Sequence, residues 1–600
     1  MRNRTATRIT ASSARTHPCA HTSVLNLLIR IETHDRHPTQ RDRADTGRAL
    51  TIPQTAETRV VRKLFYFTSS SITVFFLIMT TDSASPPTTH PTDGPSAQTR
   101  QDMDRTLFHG IAWTALGRWT AQGISWVGTF YVARILTPAD YGLVAMAAIP
   151  IGLVRLIEDL GLDAIILQDR TLTKEQLRRL TGAAILLSIV LTILFIGLSI
   201  PISLYFKEPQ VALIVSVLSL TFLIDALQVL PRALLQRDLQ FRTLAMINAL
   251  QVTIASAAMV LAALAGWVYW ALVINTLVSY GLVTIILYLY RPFVPAWPRE
   301  IHQLTRSLTA GWKMLVTRIA YYGYSSADSM IVGRYLGKEA LGIFGFATTL
   351  SALPSREVTS LLSGVVPGVF TAVQASKTEL RRYYFLLTEA TAYLALPAAF
   401  GLAITADDFV LLALGDTWTA VIVPLQLLCI YTAIFSSQTL VAHVLLWTGH
   451  FSTIMWLSLL ALAVLPACFY FGAAYGLVGI AAGWLIGFPL SNFPAFIYVN
   501  RLLASSWTDY WHTFKPALAG CGVMLGVVAL VRLLLPEEWH HALRLAIQSS
   551  AGALTYAGFM LLAFGDRVRE MYRVVLGTDQ QTPNEMDNTT KDLPADLAPR

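Results

Sequence analysis

Charged residues are scarce in this chain of 600 residues, since only 14% are Asp, Glu, Lys or Arg. Hydrophobic residues make up 54% of the chain and its mean hydropathy is +0.52, which is more apolar surface than one soluble core can bury. The apolar residues come in runs of about twenty, the length that crosses a bilayer as a helix. The composition excludes an ordinary soluble protein and predicts an all-α polytopic membrane protein.

Cysteine is also scarce. The four cysteines, Cys19, Cys429, Cys468 and Cys521, share no close spacing. This pattern excludes both a disulfide framework and a zinc site. We expect small core or lipid-facing cysteines, and neither a metal ion nor a cofactor.

The formal charge of +8 is concentrated at one end of the chain. Residues 1–100 hold 13 Lys and Arg against 7 Asp and Glu, which gives +6, and the remainder is nearly neutral. No stripe of basic and aromatic residues accompanies this charge, so we expect no nucleic-acid partner.

The first hundred residues differ in composition from the rest. Residues 1–63 and 81–101 are too polar to pack, and the apolar run 64–80 between them resembles a signal peptide or a short spanning helix. Either interpretation would place residue 101 outside, against the orientation derived below. We therefore expect 1–105 to be a disordered extension outside the working protein, with translation starting at Met79 or Met103.

From His109 onward, apolar runs alternate with short polar breaks, and no loop is long enough for a sizeable soluble domain. Fourteen segments are each close to the twenty or so residues that cross about 30 Å of hydrocarbon. They are residues 109–133, 141–162, 180–204, 210–230, 242–265, 268–290, 311–334, 340–366, 382–405, 418–437, 452–472, 475–499, 515–535 and 542–564.

Lysine and arginine are distributed unevenly between the two sides of these segments. Loops after even-numbered segments hold 16 of them, and loops after odd-numbered segments hold 5. Cytoplasmic loops of membrane proteins carry the excess of Lys and Arg. We therefore expect the start of the first segment and the C-terminal tail to lie in the cytoplasm.

A repeat relates the two halves of the chain. The stretch "VARILTPADYGLVAMA" from Val132 matches "VGRYLGKEALGIFGFA" from Val332, and eight identities occur in the 30 ungapped positions from Arg118 and Arg318 onward. Six segments separate the copies, so both halves have the same orientation in the membrane. Transporters built from such parallel repeats bind substrate between the halves.

The repeat predicts a parallel duplication of six-helix units with an addition at its end. The expected units are an N-lobe of six helices (106–300), a C-lobe of six helices (301–500), two further helices (501–566) and a cytoplasmic tail (567–600).

Matching polar stripes run along the first and seventh segments. They consist of Thr114, Arg118, Gln122, Ser125 and Thr129, and of Met314, Arg318, Tyr322, Ser325 and Ser329. An unpaired polar group that faces lipid costs roughly several kcal/mol. We therefore expect the stripes to face inward. Arg118 lies about 13 Å into its segment, too deep for easy snorkelling.

The stripes give a hypothesis for the substrate site. We expect Arg118, Gln122, Ser125, Arg318, Tyr322 and Ser325 to line a water-filled cavity in which the two arginines hold an anionic group. The alternative is a structural arginine bound to carbonyls or to a neighbouring carboxylate.

Other charged residues also lie within apolar segments. Arg155 can pair with Glu158 and Asp159 at spacings of three and four, which favours a local network. Single carboxylates at Asp225, Asp328 and Glu389 are each candidates for a proton or cation coupling site. Arg134 and Arg334 sit at outer helix ends, and we expect them to be snorkelling anchors.

Five stretches together resemble the polysaccharide transporter branch of the MATE-like flippase superfamily, which handles lipid-linked O-antigen and exopolysaccharide units. They are "GLDAIILQDRTLT" (161–173), "YFKEPQ" (205–210), "VLPRALLQRDLQFR" (229–242), "SADSMIVGRYLG" (326–337) and "LGDTWTAVIVPLQLL" (414–428). The resemblance covers roughly residues 109–500.

The resemblance implies a flippase, not an enzyme, in a bacterial inner membrane. Its expected partners are an undecaprenyl-pyrophosphate-linked oligosaccharide, membrane lipid, and polysaccharide polymerase and chain-length machinery. Two alternatives stay open: a multidrug or cation antiporter on the same scaffold, and a membrane glycosyltransferase or polymerase.

Overall fold

The structure is a computed structural model that describes residues 121–158, 173–238, 240–297, 302–362, 370 and 376–575. Within these ranges it consists of helices and turns and has no strand. The helices are α1 (121–133), α2 (Pro138–Glu158), α3 (Lys174–Phe206), α4 (Gln210–Arg237), α5 (Phe241–Leu264), α6 (Trp270–Tyr290), α7 (His302–Ile331), α8 (Gly337–Ser351), α9 (Leu353–Leu362), α10 (Lys377–Ile404), α11 (Ala406–Ala413), α12 (Ile422–Trp447), α13 (Phe451–Gly472), α14 (Gly476–Leu503), α15 (Trp507–Leu534) and α16 (His541–Val575).

Local sequence accounts for where several of these helices begin and end. Thr173 and Gln176 form a capping box at the start of α3, in which each side chain binds the backbone N–H of the other residue. Lys207 ends α3 with a φ of 59°, the left-handed conformation that closes many helices. Ser506 and Asp509 form a second capping box at the start of α15.

Ten helical stretches of the described chain are long and apolar enough to cross a membrane. The predicted all-helical membrane architecture is confirmed. Each of the fourteen predicted segments overlaps a helix among the described residues, but α1 is described only in part and α8 has 15 residues. The exact number of crossings therefore stays a prediction.

The helix pairs follow the sequence repeat. In the N-terminal half, α4 packs against α2, α3 and α6, and α5 packs against α6. In the C-terminal half, α12 packs against α8, α10 and α14, and α13 packs against α14. These pairings are equivalent when α2–α6 are matched to α8, α10, α12, α13 and α14. We call the two halves the N-lobe (α1–α6) and the C-lobe (α7–α14); the residue boundaries expected for them stay a prediction.

The lobes meet where α2 crosses α8. Gly142 of α2 and Gly342 of α8 lie at this crossing, and a β-carbon on either one would fall within 2 Å of a backbone carbonyl oxygen of the other lobe. Only glycine allows so close an approach of two backbones.

An aromatic cluster seals the same crossing. Trp418, in the 3₁₀ turn before α12, is fully buried, and its ring centroid lies 4.4 Å from Phe346 of α8 and 5.5 Å from Tyr141 of α2. Its indole N–H donates to the carbonyl of Ala133 at 2.8 Å. We call this end of the molecule the junction face. It carries the short π-helix Val332–Leu336 and the connections 134–137, 207–209, 265–269, 414–421, 473–475 and 535–540.

Helices α15 and α16 form a hairpin outside the repeat. They pack against each other, and α15 packs along α10 of the C-lobe. The backbone of α16 departs from helical geometry at Phe564, where φ is −135° and ψ is 25°. Leucines such as Leu554 and Leu562 remain exposed on the outside of the hairpin, as expected of a surface that contacts lipid.

Candidate functional site

The predicted cavity residues of the first stripe are described only in part. Arg118 lies outside the described residues. Gln122 is exposed and Ser125 is half-buried on α1. Gly128, one turn further along α1, packs against the side chains of Ser256 and Met259 in α5.

Arg318 lies on α7 and is exposed. Among the described residues, no ion-pair or hydrogen-bond partner of Arg318 is found. Tyr321, one turn further along α7, is 52% exposed, and its ring meets Tyr324 edge to face at 5.2 Å between centroids. A cation beside aromatic rings on a helix of this kind is suited to an anionic ligand that also carries sugar, because guanidinium binds phosphate and aromatic faces accept apolar sugar surfaces.

Tyr322 joins the two lobes, because its hydroxyl donates to the carbonyl of Ile149 in α2. A β-carbon on Gly152 would lie 2.2 Å from this hydroxyl oxygen, so glycine provides the space that the tyrosine occupies. Ser325 is half-buried, and its hydroxyl donates to the carbonyl of Tyr322 at 3.3 Å. Tyr322 therefore faces the N-lobe at this depth, and the place of the whole stripe in a cavity stays a prediction.

Arg155 of α2 is a half-buried cation among the helices of the N-lobe. Its guanidinium donates to the hydroxyl of Tyr280 in α6 and to that of Thr221 in α4, the latter at 3.2 Å. Its Cζ atom lies 4.4 Å from the centroid of the Tyr280 ring. The side chains of Glu158 and Asp159 are outside the described residues, so their pairing with Arg155 stays a prediction.

A second polar layer supports this arginine. Gln228 of α4 is buried, and its amide donates at 2.9 Å both to the carbonyl of Tyr280 and to the hydroxyl of Thr284. These bonds join α6 to α4 at the residue whose hydroxyl binds Arg155. Sequence reasoning missed Tyr280, Thr221 and Gln228, since single polar residues in apolar helices carry no spacing signal.

Asp328 of α7 is buried at 3% exposure. One carboxylate oxygen accepts a hydrogen bond from the indole N–H of Trp484 in α14 at 2.9 Å, and the other accepts from the backbone N–H of Ser329. The Trp484 ring is itself packed against Tyr431, at 4.7 Å between centroids. Both donors are neutral, so these contacts do not compensate the negative charge that the carboxylate carries when ionised.

Glu389, another candidate coupling residue, has partners outside the repeat. Its carboxylate accepts from the hydroxyl of Tyr393 and pairs with Arg567 of α16 at 3.4 Å. This position lies between α10 and the C-terminal hairpin, away from the contact between the lobes. It is therefore better explained as an attachment of α16 than as a coupling site.

Arg134 and Arg334 bind backbone carbonyls of the opposite lobe. The guanidinium of Arg134 donates to the carbonyls of Leu412 and Ala413, the latter at 3.4 Å, and Arg334 donates to the carbonyl of Tyr205. The acceptors are carbonyls at the ends of α11 and α3, where the helix leaves them unbonded. These contacts give both arginines a structural role, and their expected role as snorkelling anchors stays a prediction. Equivalent arginines thus join the lobes reciprocally at the junction face.

Comparison with known proteins shows which proteins this chain resembles. The family model "Polysaccharide biosynthesis protein" matches residues 131–423, which include the junction-face arginine Arg134 and the stripe residues of α7. The match covers just under half of the chain, and this chain is similar to the polysaccharide biosynthesis proteins that the model describes. The resemblance stated from the sequence is confirmed.

Several curated relatives match most of their own length. The chain is 24% identical over 407 residues to an uncharacterized membrane protein in the cps region of Klebsiella pneumoniae, covering 67% of this chain and 84% of that one. It is 23% identical over 409 residues to the lipopolysaccharide biosynthesis protein WzxC of Escherichia coli K12, covering 67% and 82%. It is 21% identical over 478 residues to the succinoglycan biosynthesis transport protein ExoT of Rhizobium meliloti, covering 78% and 95%.

Solved structures share the fold. The lipid II flippase MurJ in an inward closed conformation superposes with a TM-score of 0.63 at 13% identity, covering 76% of this chain and all of that one. An inward-facing multidrug resistance MATE transporter superposes with a TM-score of 0.51 at 13% identity, covering 64% and 94%. This chain is a multi-pass membrane protein that shares their fold.

Proposed function

We propose that this chain is a flippase that moves an undecaprenyl-pyrophosphate-linked oligosaccharide across the bacterial inner membrane by alternating access, for lipopolysaccharide, O-antigen or exopolysaccharide synthesis. Two of the curated relatives are named for lipopolysaccharide biosynthesis and for succinoglycan biosynthesis transport. Arg318, exposed on the stripe helix α7 beside Tyr321, is the observation on this chain that carries the proposal.

The chemistry of the substrate fits these residues. A diphosphate brings negative charge into the membrane, where it needs fixed cations, and arginine binds phosphate through a planar group of several donors. Arg118 is the equivalent cation in the N-lobe by the sequence repeat. We assign Arg118 and Arg318 to the diphosphate, and Gln122, Ser125, Tyr322 and Ser325 to the walls of the same cavity.

We place the junction face on the periplasmic side and both termini in the cytoplasm. The support is the excess of Lys and Arg in the loops at the opposite face. In this orientation the lobes are closed towards the periplasm by the α2–α8 crossing, and substrate enters from the cytoplasmic side. Polysaccharide polymerase and chain-length proteins are proposed partners that would receive the translocated unit.

A multidrug or cation antiporter is the second candidate, favoured by the buried carboxylate of Asp328. A transport assay separates the two functions. Purified protein in vesicles that contain a fluorescent undecaprenyl-diphosphate oligosaccharide should expose the label to a reagent outside, at a rate that empty vesicles do not show. Efflux of a cationic dye without movement of the labelled lipid would contradict the flippase function and support the antiporter function.

A further inference from the structure

The short helix α11 (Ala406–Ala413) occupies a special place at the junction face. Its last carbonyls, those of Leu412 and Ala413, accept the guanidinium of Arg134 from the N-lobe. Its first turn carries Asp407 and Asp408. Acidic residues at the start of a helix and a cation at its end both favour the helix dipole, so α11 is electrostatically suited to receive Arg134.

The C-terminal hairpin binds the other end of α11. Asp408 is 4% exposed, and its carboxylate lies 2.8 Å from Nδ1 of His541 and accepts from the Gln548 amide at 2.9 Å. Arg544 Nε lies 3.6 Å from the same carboxylate. Arg532 of α15 pairs with Asp407 and donates to the carbonyl of Ile404 at 3.2 Å. Four side chains of the hairpin therefore fix the start of α11.

The corresponding place in the N-lobe is built differently. Arg334 binds the carbonyl of Tyr205, two residues before Lys207, which has a φ of 59°. Arg134 binds the carbonyl of Ala413, two residues before Gly415, which has a φ of 92°. The acceptors are thus equivalent, but in the N-lobe the carbonyl belongs to the long helix α3 itself. In the C-lobe it belongs to a separate eight-residue helix.

A separate short helix needs support that a long helix provides by itself. An isolated helix of two turns is unstable in water and gains its position from tertiary contacts. We infer that α15 and α16 form a brace that holds α11 in place for Arg134 and so favours the state in which the junction face is closed. This role rests on the proposed function, because it assumes alternating access. It assigns the two helices outside the repeat to the control of that access.

Spin-label distances across the junction face test the brace. Labels at Trp267→Cys in the N-lobe and Tyr475→Cys in the C-lobe stand at exposed loop positions of that face, in a protein whose four native cysteines are replaced. The brace variant is Arg532→Ala with His541→Ala. We expect the ratio of the molecules with a long distance to those with a short distance to rise by about five-fold, because partly exposed pairs such as these are weak singly.

Two further variants separate the outcomes. Arg567→Ala removes an ion pair of the same hairpin at its opposite end, the one with Glu389 at 3.4 Å, and should leave the distances unchanged. Arg134→Ala with Arg334→Ala removes the two reciprocal arginine contacts between the lobes and should lengthen the distances. Should the brace variant not fold, Asp407→Asn with Asp408→Asn weakens the same contacts with nearly unchanged shape.

The distances are measured without substrate, so they do not depend on what the protein transports. Lengthening in the Arg134 and Arg334 variant with no change in the brace variant would overturn the brace and leave the flippase proposal standing. Equal lengthening in the brace variant and in Arg567→Ala would also overturn it, because general loosening of the hairpin would then explain the effect. Unchanged distances in every variant would reject both the brace and the junction face as a gate.

Discussion

Gly142 and Gly342 stand 200 positions apart in the sequence and face each other's helices at the lobe junction. A β-carbon on Gly142 would lie 1.7 Å from the carbonyl oxygen of Lys338, and one on Gly342 would lie 1.8 Å from that of Pro138. The two contacts are equivalent, because Pro138 and Lys338 occupy the same position in the two copies of the repeat. The duplicated motif therefore includes the residue that lets its two copies cross.

Gly142→Ala should weaken this crossing. The backbone carbonyl in its way cannot rotate aside like a side chain, so the helices must separate, at a cost of about 1–3 kcal/mol. We expect a lower melting temperature of the purified protein and slower flipping. Gly345→Ala on α8 is the matched control, because a β-carbon there meets no atom within 4 Å. Equal behaviour of the two variants would contradict a close crossing.

Arg318→Ala tests the anion site. Loss of a charged hydrogen-bonding partner of the diphosphate should slow flipping by about tenfold or more, while the amount of folded protein in the membrane stays normal. Lysine should restore only part of the activity, since it keeps the charge and lacks the paired donors of arginine. Flipping is measured per folded protein, with Arg569→Ala, an exposed arginine of α16 at 77% side-chain exposure, as the control.

A purely structural Arg318 would give a different pattern. The alanine variant would then lose melting temperature and abundance in parallel with activity. Wild-type flipping at wild-type protein level would remove Arg318 from the site, and Arg155 would become the next cation to test.

Asp328→Asn tests the buried carboxylate of α7. Asparagine can still accept the hydrogen bond of the Trp484 indole, so we expect the folded protein to remain stable. An amide does not bind a proton or a cation as a carboxylate does, and flipping driven by an ion gradient should be lost. The measurement is flipping with and without imposed proton or sodium gradients.

The partner variant Trp484→Phe removes the indole donor and keeps the carboxylate. Its expected effect is a loss of stability of about 1 kcal/mol with the gradient response retained. A gradient response that survives in Asp328→Asn would assign Asp328 to structure alone.

Reporter fusions test the orientation of the lobes. A reporter active only in the periplasm should give signal when fused after residue 206 or 337, because these positions belong to the junction face. It should be silent after residue 175, 237 or 380. The reverse pattern would place the closed face towards the cytoplasm and invert the proposed direction of opening.

The sequence was sufficient to predict properties that depend on each segment by itself. Twenty-residue apolar runs cross a bilayer whatever their neighbours are, because every backbone polar group must be bonded within the helix. The repeat around Gly142 and Gly342 and the polar stripe of Arg318 were visible for the same reason, since both are regular patterns along one helix.

Tertiary structure decided which polar groups find one another across helices. Arg134 and Arg334 have the sequence context of interfacial anchors, yet each binds a carbonyl of the other lobe. Asp328 and Glu389 are both lone carboxylates in the sequence. In the structure, Asp328 accepts a hydrogen bond from the Trp484 indole, whereas Glu389 pairs with Arg567 of the C-terminal hairpin. Such partners depend on the depth and rotation of each helix. Close packing at residues such as Gly142 and Gly152 fixes that depth and rotation, and it exists only once the lobes have come together.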